Sequence, residues 1–297
     1  MQMRKLVLVS FAIAIFLLLL LQLPWFITTV WPISHQGQLQ SKLYLPDNAT
    51  ADNPAPLIAV FGGSEGGIPW ADNNNASHRQ PYLDAGFALL VVGYFGLPGT
   101  PQGLDRIELT SIIDVINNTA AQPDVKAENI SLLGTSKGAE LALLLASRST
   151  NISAVVSVVG SDAVFGSTEW YSTSSSWAWQ QQPVSYVPIS MRSILPTLVH
   201  GDLRRSYELA MQNHSAYKQA KIPVEQMQAN VLFISGTADE VWPSSEMSDN
   251  MMARLRQHKY RFIYQHLKTE GAGHGGLGKK YQPEIIAFIK KSQELPR

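Results

Sequence analysis

The stretch Ile130-Ser-Leu-Leu-Gly-Thr-Ser136-Lys-Gly-Ala-Glu-Leu-Ala-Leu-Leu-Leu-Ala146 constrains this chain more than any other. It reads as a short apolar strand, a tight turn and then a helix. The turn, Gly134-Thr135-Ser136-Lys137-Gly138, matches G-x-S-x-G. In that pattern a serine on a sharp strand-to-helix turn has its hydroxyl lifted above the end of a sheet. Glycines on either side let the backbone turn hard and approach its neighbours closely. The helix behind Ser136 presents free N–H groups and a positive dipole end, which suit a developing oxyanion. Five residues alone also fit a plain turn. The strand before and the helix after favour a nucleophile at Ser136.

Composition narrows the chemistry. Lysine plus arginine and aspartate plus glutamate both total 23, and no basic stripe is visible, so nucleic acid is not an expected partner. There is no cysteine. Disulfides, thiolate zinc sites and a thiol nucleophile are excluded, which leaves an oxygen or nitrogen nucleophile. No His/Asp/Glu cluster has metal-ligand spacing, and neither metal nor cofactor is expected.

At the amino end, Arg4 and Lys5 precede Leu6 to Leu23, which is apolar except for Ser10 and Gln22; Trp25, Phe26 and Trp31 follow. About 20 apolar residues span a bilayer, and aromatic side chains gather at its interface. Residues 1–32 therefore read as a signal anchor in preference to a cleaved signal peptide, whose apolar core is shorter and ends at a small-residue cleavage site. The basic residues lie before the run, which places residues 33–297 on the non-cytoplasmic side, or outside the cell or in the periplasm if the segment is cleaved.

From there the chain alternates. Gln36–Leu45 reads as an edge strand. Leu57–Phe61 and Phe87–Val92 are continuous apolar runs, as expected of strands buried on both faces. His78–Ala85 and Asp105–Asn118 read as helices, the second with Leu109, Ile112, Ile113 and Ile116 on one stripe. Ile152–Val159, Asn230–Ser235 and Arg261–Leu267 add strands; Ser244–Gln257 and Tyr281–Lys291 add helices. The alternation predicts an α/β fold, a mostly parallel sheet with helices on both faces. Residues 163–228 interrupt it with Trp170, Tyr171, Trp177, Trp179 and Tyr186 among serines and glutamines. So long a stretch between strands is expected to be lid-like. Its aromatics either form an acyl-binding surface or pack the insertion onto the domain.

Ser136, Asp239 and His274 each stand in a loop directly after an expected strand, and such loops meet at one edge of a parallel sheet. Their chain order, Ser…Asp…His, is that of α/β-hydrolases. In such a set the serine attacks an acyl carbon, the imidazole moves its proton, and the carboxylate orients the imidazole and stabilises its cation. Asp162 is the best alternative acid, and Glu240 adjoins Asp239. Of the other histidines, His35 precedes the domain, His78 and His258 fall in helices, His266 in a strand, and His200 and His214 in the insertion. Only His274 stands between glycines in a loop after a late strand. The oxyanion donors are expected at Lys137 and at Gly63 or Ser64 of the loop Gly62-Gly63-Ser64-Glu65-Gly66-Gly67; that loop is otherwise a flexible turn, and its spacing does not fit a phosphate cradle. The Lys137 side chain reads as solvated in preference to contacting an anionic leaving group.

Phe61-Gly-Gly-Ser-Glu-Gly-Gly67, Tyr94-Phe-Gly-Leu-Pro98, Leu133-Gly-Thr-Ser-Lys-Gly-Ala-Glu-Leu-Ala-Leu143, Ile222-Pro-Val-Glu225 and Gly271-Ala-Gly-His274 together resemble the C-terminal catalytic domain of acyl-CoA thioesterases and bile acid-CoA:amino acid N-acyltransferases. The resemblance runs from about Leu43 to the end. It implies an α/β-hydrolase fold, nucleophile, acid and base at Ser136, Asp239 and His274, and an acyl thioester substrate. The family's acyltransferase member uses a cysteine nucleophile; its absence here favours hydrolysis over amide transfer. A carboxylic ester or lactone hydrolase, or a non-catalytic binding protein on the same fold, are the alternatives.

Overall fold

A computed structural model describes residues 37–72, 75–168 and 174–294, together with Ile15. The expected segment 1–32 lies outside the described residues apart from Ile15. No helix among the described residues is long and apolar enough to cross a membrane.

The centre is a seven-stranded sheet. In chain order its strands are β1 (Gln40–Tyr44), β2 (Ala55–Phe61), β3 (Ala88–Gly93), β5 (Val125–Thr135), β6 (Ile152–Val158), β9 (Asn230–Gly236) and β10 (Tyr264–Thr269). In space the order is β1-β3-β2-β5-β6-β9-β10. Every pairing is parallel except that of β1, which runs antiparallel along β3 with Gln40 opposite Gly93. The interior strands β3, β6 and β9 are buried at every residue, which explains why they are mostly apolar. β1, an edge strand, has no fully buried residue.

Helices cover both faces. Leu57, Ala59 and Phe61 of β2 face a core built with α2 (Leu109–Ala120), α3 (Lys137–Ala146) and α7 (Ser244–Gln257). Ile58 and Val60 face the other core, with α1 (Ala76–Asp84) and α9 (Gln282–Glu294). A four-residue helix, α8 (Leu277–Lys280), precedes α9.

One expected boundary moves, and one helix start lacks its cap, each for a physical reason. The helix expected from Asp105 begins at Leu109. Ile107–Glu108 instead forms a short strand, β4, paired with β7 (Trp177–Trp179), and the Glu108 carboxylate caps the helix by accepting from Thr110 N. In α7, Ser244 provides no cap; its hydroxyl is drawn to Asp239.

Among its described residues, the insertion between β6 and β9 is structured. It holds β7, β8 (Gln182–Pro183), α4 (Met191–His200), α5 (Leu203–Met211), α6 (His214–Gln219) and a 3₁₀ turn at Val224–Gln226. Trp177 is fully buried and Trp179 and Tyr186 pack against the core, so these three fasten the insertion to the domain. Trp170 and Tyr171 lie outside the described residues.

Candidate active site

The turn after β5 is tight because two glycines allow it. A Cβ on Gly134 would lie 2.0 Å from the Gly138 carbonyl oxygen, and one on Gly138 would lie 2.2 Å from that of Gly62. Neither contact is relieved by turning a side chain, since both partners are backbone. Gly138→Ala is therefore expected to cost about 3 kcal/mol of stability, the upper end of the range for overpacking. Urea denaturation checks it; an unchanged midpoint would show that β2 and α3 are not held this closely.

Ser136 sits at the apex with φ 57° and ψ −121°, a left-handed backbone that a non-glycine residue adopts only under strain. Its amide donates to Val158 O at 2.9 Å, which ties the turn to β6. Its hydroxyl lies 2.9 Å from His274 Nε2. On the other side of the ring, Nδ1 lies 2.9 Å from each Asp239 carboxylate oxygen. The three side chains predicted from separate loops thus form one hydrogen-bonded chain.

Asp239 is fully buried. It accepts from the Val241 amide at 2.9 Å, the Trp242 amide at 3.3 Å and Ser244 Oγ at 2.5 Å, besides His274. Burial alone would raise its pKa. The hydrogen bonds from His274, Ser244 and Val241 outweigh that and hold the carboxyl below its usual range. Trp242 stands edge-on to the His274 ring with centroids 5.7 Å apart, and its indole N–H donates to Val159 O. Glu240 accepts from the His274 amide at 2.9 Å, so it secures the loop and not the imidazole. The rival Asp162 is committed elsewhere, to Tyr217, Lys221 and Asn250. His266 binds Ser235 and Asp249.

Two expectations need correction. Lys137 is not solvated. Its side chain is 2 % exposed, and its ammonium lies 2.6 Å from Glu140 Oε1. The same carboxylate accepts from Trp177 Nε1 at 2.6 Å and, through its other oxygen, from Ser161 Oγ at 2.9 Å. Burial pulls the Lys137 pKa down, opposed by Glu140. Glu140 escaped notice in the sequence; the only signal was a Lys/Glu pair three apart in an otherwise apolar helix. The second correction concerns Gly63. A Cβ there would lie 3.1 Å from Ser136 Cβ, so this glycine does adjoin the serine. Its amide, however, donates to Glu65 Oε1 at 2.9 Å and is not free for an oxyanion. The loop itself is held by Tyr94, whose buried hydroxyl donates to Gly62 O at 2.5 Å.

A cleft of about 290 Å³ opens over Ser136 and His274, with Leu203 and Val241 on its walls. A neighbouring cavity of about 380 Å³ is lined by Val60, Ile68, Trp70, Tyr82 and Leu133 among others. Glu65, Thr135, Val158 and Gly278 belong to both. No group of three or more possible metal ligands occurs among the described residues.

Comparison with known proteins agrees with the motifs. Mouse acyl-coenzyme A thioesterase 1 is 28 % identical over 224 residues, covering 75 % of this chain and 48 % of that protein. Mouse acyl-coenzyme A amino acid N-acyltransferase 1 is 28 % identical over 242 residues, covering 80 % and 52 %. The chain thus spans about half the length of these relatives. Among solved structures, an acetyl xylan esterase from Thermoanaerobacterium superposes with a TM-score of 0.55 at 15 % identity, over 86 % of this chain and 79 % of that one. A Mycobacterium tuberculosis puromycin-hydrolysing peptidase gives 0.61 at 15 %, over 87 % and 38 %. These structures share the α/β-hydrolase fold. The family model "BAAT / Acyl-CoA thioester hydrolase C terminal" matches residues 113–295. With more than half of its length inside that match, the chain belongs to the BAAT/acyl-CoA thioester hydrolase C-terminal family.

Proposed function

We propose that this protein is a serine hydrolase of acyl thioesters, working through an acyl-enzyme on Ser136. The observation that carries the reading is the unbroken chain from Ser136 Oγ through His274 to the buried Asp239. With a proton on Nδ1 held by Asp239, Nε2 offers a lone pair to the serine hydroxyl. Ser136 Oγ attacks the acyl carbon as Nε2 takes its proton. The imidazolium returns that proton to the departing sulfur, and water repeats the sequence to free the acid. The Lys137 amide opens α3, where the helix dipole favours an oxyanion, and Ser64 lines the same cleft. The cavity beyond Glu65, with Val60, Ile68, Trp70 and Leu133 in its lining, offers an acyl chain apolar contacts.

In this reading the described residues of the insertion, 163–168 and 174–228, roof the cleft. Leu203 of α5 lines it, and Arg204 donates to the Asp239 carbonyl at 3.0 Å. Residues 1–32 serve as the membrane anchor and hold the catalytic domain on the non-cytoplasmic side.

Glu65 makes a separate prediction. Its carboxylate occupies the Gly63 amide, and a negative charge there opposes a developing oxyanion. One oxyanion donor is commonly worth 100-fold or more in turnover. Glu65→Ala is expected to raise kcat on a neutral acyl ester by about 10-fold, since freeing one donor recovers part of that. A fall in kcat would mean that the carboxylate helps the reaction, contrary to this assignment.

Release of thiol from a long-chain acyl-CoA, beside matched carboxylic esters and lactones, tests the substrate class. Preference for the thioester supports the proposal. Turnover of the oxygen esters alone would replace it with the ester or lactone reading.

A further inference from the structure

Helix α4 leaves an apolar stripe open to solvent. Met191, Leu195, Leu198 and Val199 are 63, 50, 65 and 65 % exposed, and together they are most of the exposed large hydrophobic side chains among the described residues. Their spacing of i, i+4, i+7 and i+8 gathers them within about 100° of the helix circumference. The opposite side of the helix is fixed: Ser190 caps it, Ser193 is buried, and Thr197 is hydrogen-bonded to Ser206 of α5 at 2.7 Å. The stripe is therefore presented by a packed helix and is not the result of fraying. A contiguous apolar face of this kind on an otherwise polar surface marks an interaction site.

Two features identify the partner. The first is position. α4 passes through Gly201–Asp202 directly into α5, whose first residue, Leu203, lines the cleft over Ser136. The stripe thus ends four residues from the mouth of the cleft. The second is the route by which the chain enters the domain. β1 is the sheet's antiparallel strand, so its first residue, Gln40, lies beside Gly93 at the carboxyl end of β3. Gln40 also donates to Pro98 O in the loop that follows β3. The chain therefore comes in at the sheet edge that carries Ser136, Asp239 and His274. What precedes it in sequence is the apolar run Leu6–Leu23 with Trp25, Phe26 and Trp31, a composition suited to a bilayer and its interface. A membrane-held segment leading in at this edge brings the catalytic edge, and α4 with it, towards lipid.

We propose that the carboxyl edge of the sheet rests on a lipid bilayer, with the Met191/Leu195/Leu198/Val199 face of α4 dipped into the acyl region and the cleft opening at the lipid surface. A short helix with one apolar face binds a membrane interface in this way, lying in its plane. The exposed Arg192 beside the stripe falls at headgroup level. Substrates would then be drawn from the bilayer: lipid-soluble acyl esters or thioesters. That last point rests on the hydrolase reading; the orientation does not.

The absence of cysteine allows a direct test on the full-length chain. Leu195→Cys, Leu198→Cys and, as a control, Lys126→Cys at the opposite edge of the sheet are each labelled with an environment-sensitive fluorophore. Each protein is reconstituted into phosphatidylcholine vesicles with or without nitroxide-labelled lipid. Loss of fluorescence at positions 195 and 198, with none at 126, is the expected result. Equal quenching at all three positions, or none at any, overturns the proposal. So does a blue-shifted label at 195 and 198 that lipid nitroxide fails to quench, which would mean that protein covers the stripe. None of these readouts depends on turnover, so a failed hydrolase assignment would not be mistaken for a failed orientation.

Discussion

Ser136→Ala is expected to lower kcat by about 100,000-fold while leaving the fold intact, because in the proposed reaction the triad acts as a unit and its nucleophile has no substitute. In the proposed reaction Ser136 Oγ, 2.9 Å from His274 Nε2, is the attacking atom. Thr135 precedes the apex on β5, and the absence of cysteine rules out a thiol taking over. Removing Oγ also removes a single hydrogen bond, at 2.9 Å to His274, so stability is expected to change little. The strained φ of 57° is a property of the backbone and remains. Single-turnover thiol release measures the loss, with a thermal melt beside it. A variant that keeps one tenth or more of the wild-type rate would remove Ser136 from the chemistry.

The second large effect lies beneath the serine. Glu140→Leu is expected to destabilise the protein by about 3–5 kcal/mol, the range for breaking one side of a buried ion pair. The substitution leaves the Lys137 ammonium, the Trp177 indole N–H and the Ser161 hydroxyl without their shared acceptor. At this chain length that corresponds to a fall in Tm of about 10 °C. Lys137→Met in the same protein is expected to restore a good part of it, because an apolar replacement of both partners strands no charge. A double variant no more stable than Glu140→Leu alone would show that packing of the carboxylate, and not the stranded ammonium, sets the cost. The pair bears on the proposed chemistry as well. Lys137 carries the amide at the start of α3, the oxyanion donor of the proposed reaction, and Trp177 ties the insertion to the same carboxylate.

Much of this architecture was legible because it depends on local rules. Buried parallel strands are mostly apolar, and β2, β3, β6 and β9 show it. The elbow announces itself because only glycine fits at 134 and 138, where backbone approaches backbone. Asp239 and His274 stood out because loops after parallel strands converge. The side chains that hold these groups in place were not legible. Glu140 meets Trp177 across 37 residues and Ser161 across 21. Ser244 looks like a helix cap until Asp239 is seen to claim it. Glu65 sits in a glycine-rich loop whose backbone path, and hence the Gly63 contact, no periodicity predicts. The late start of α2 has the same origin: Ile107–Glu108 is drawn into a strand by Trp177–Ala178, 70 residues away in sequence. In each case a local preference yields to a partner that only the folded chain brings near.

The account rests on Ser136 becoming acylated, and trapping that species tests it most directly. The full-length protein is mixed with a long-chain acyl-CoA, quenched in acid within the first turnovers, digested and analysed by mass spectrometry. The predicted result is one acyl group on the peptide that holds Gly134–Gly138, absent from Ser136→Ala and accumulating in His274→Ala only at a greatly reduced rate. Thiol release with no acylated peptide, or an acyl group on another residue, would contradict it.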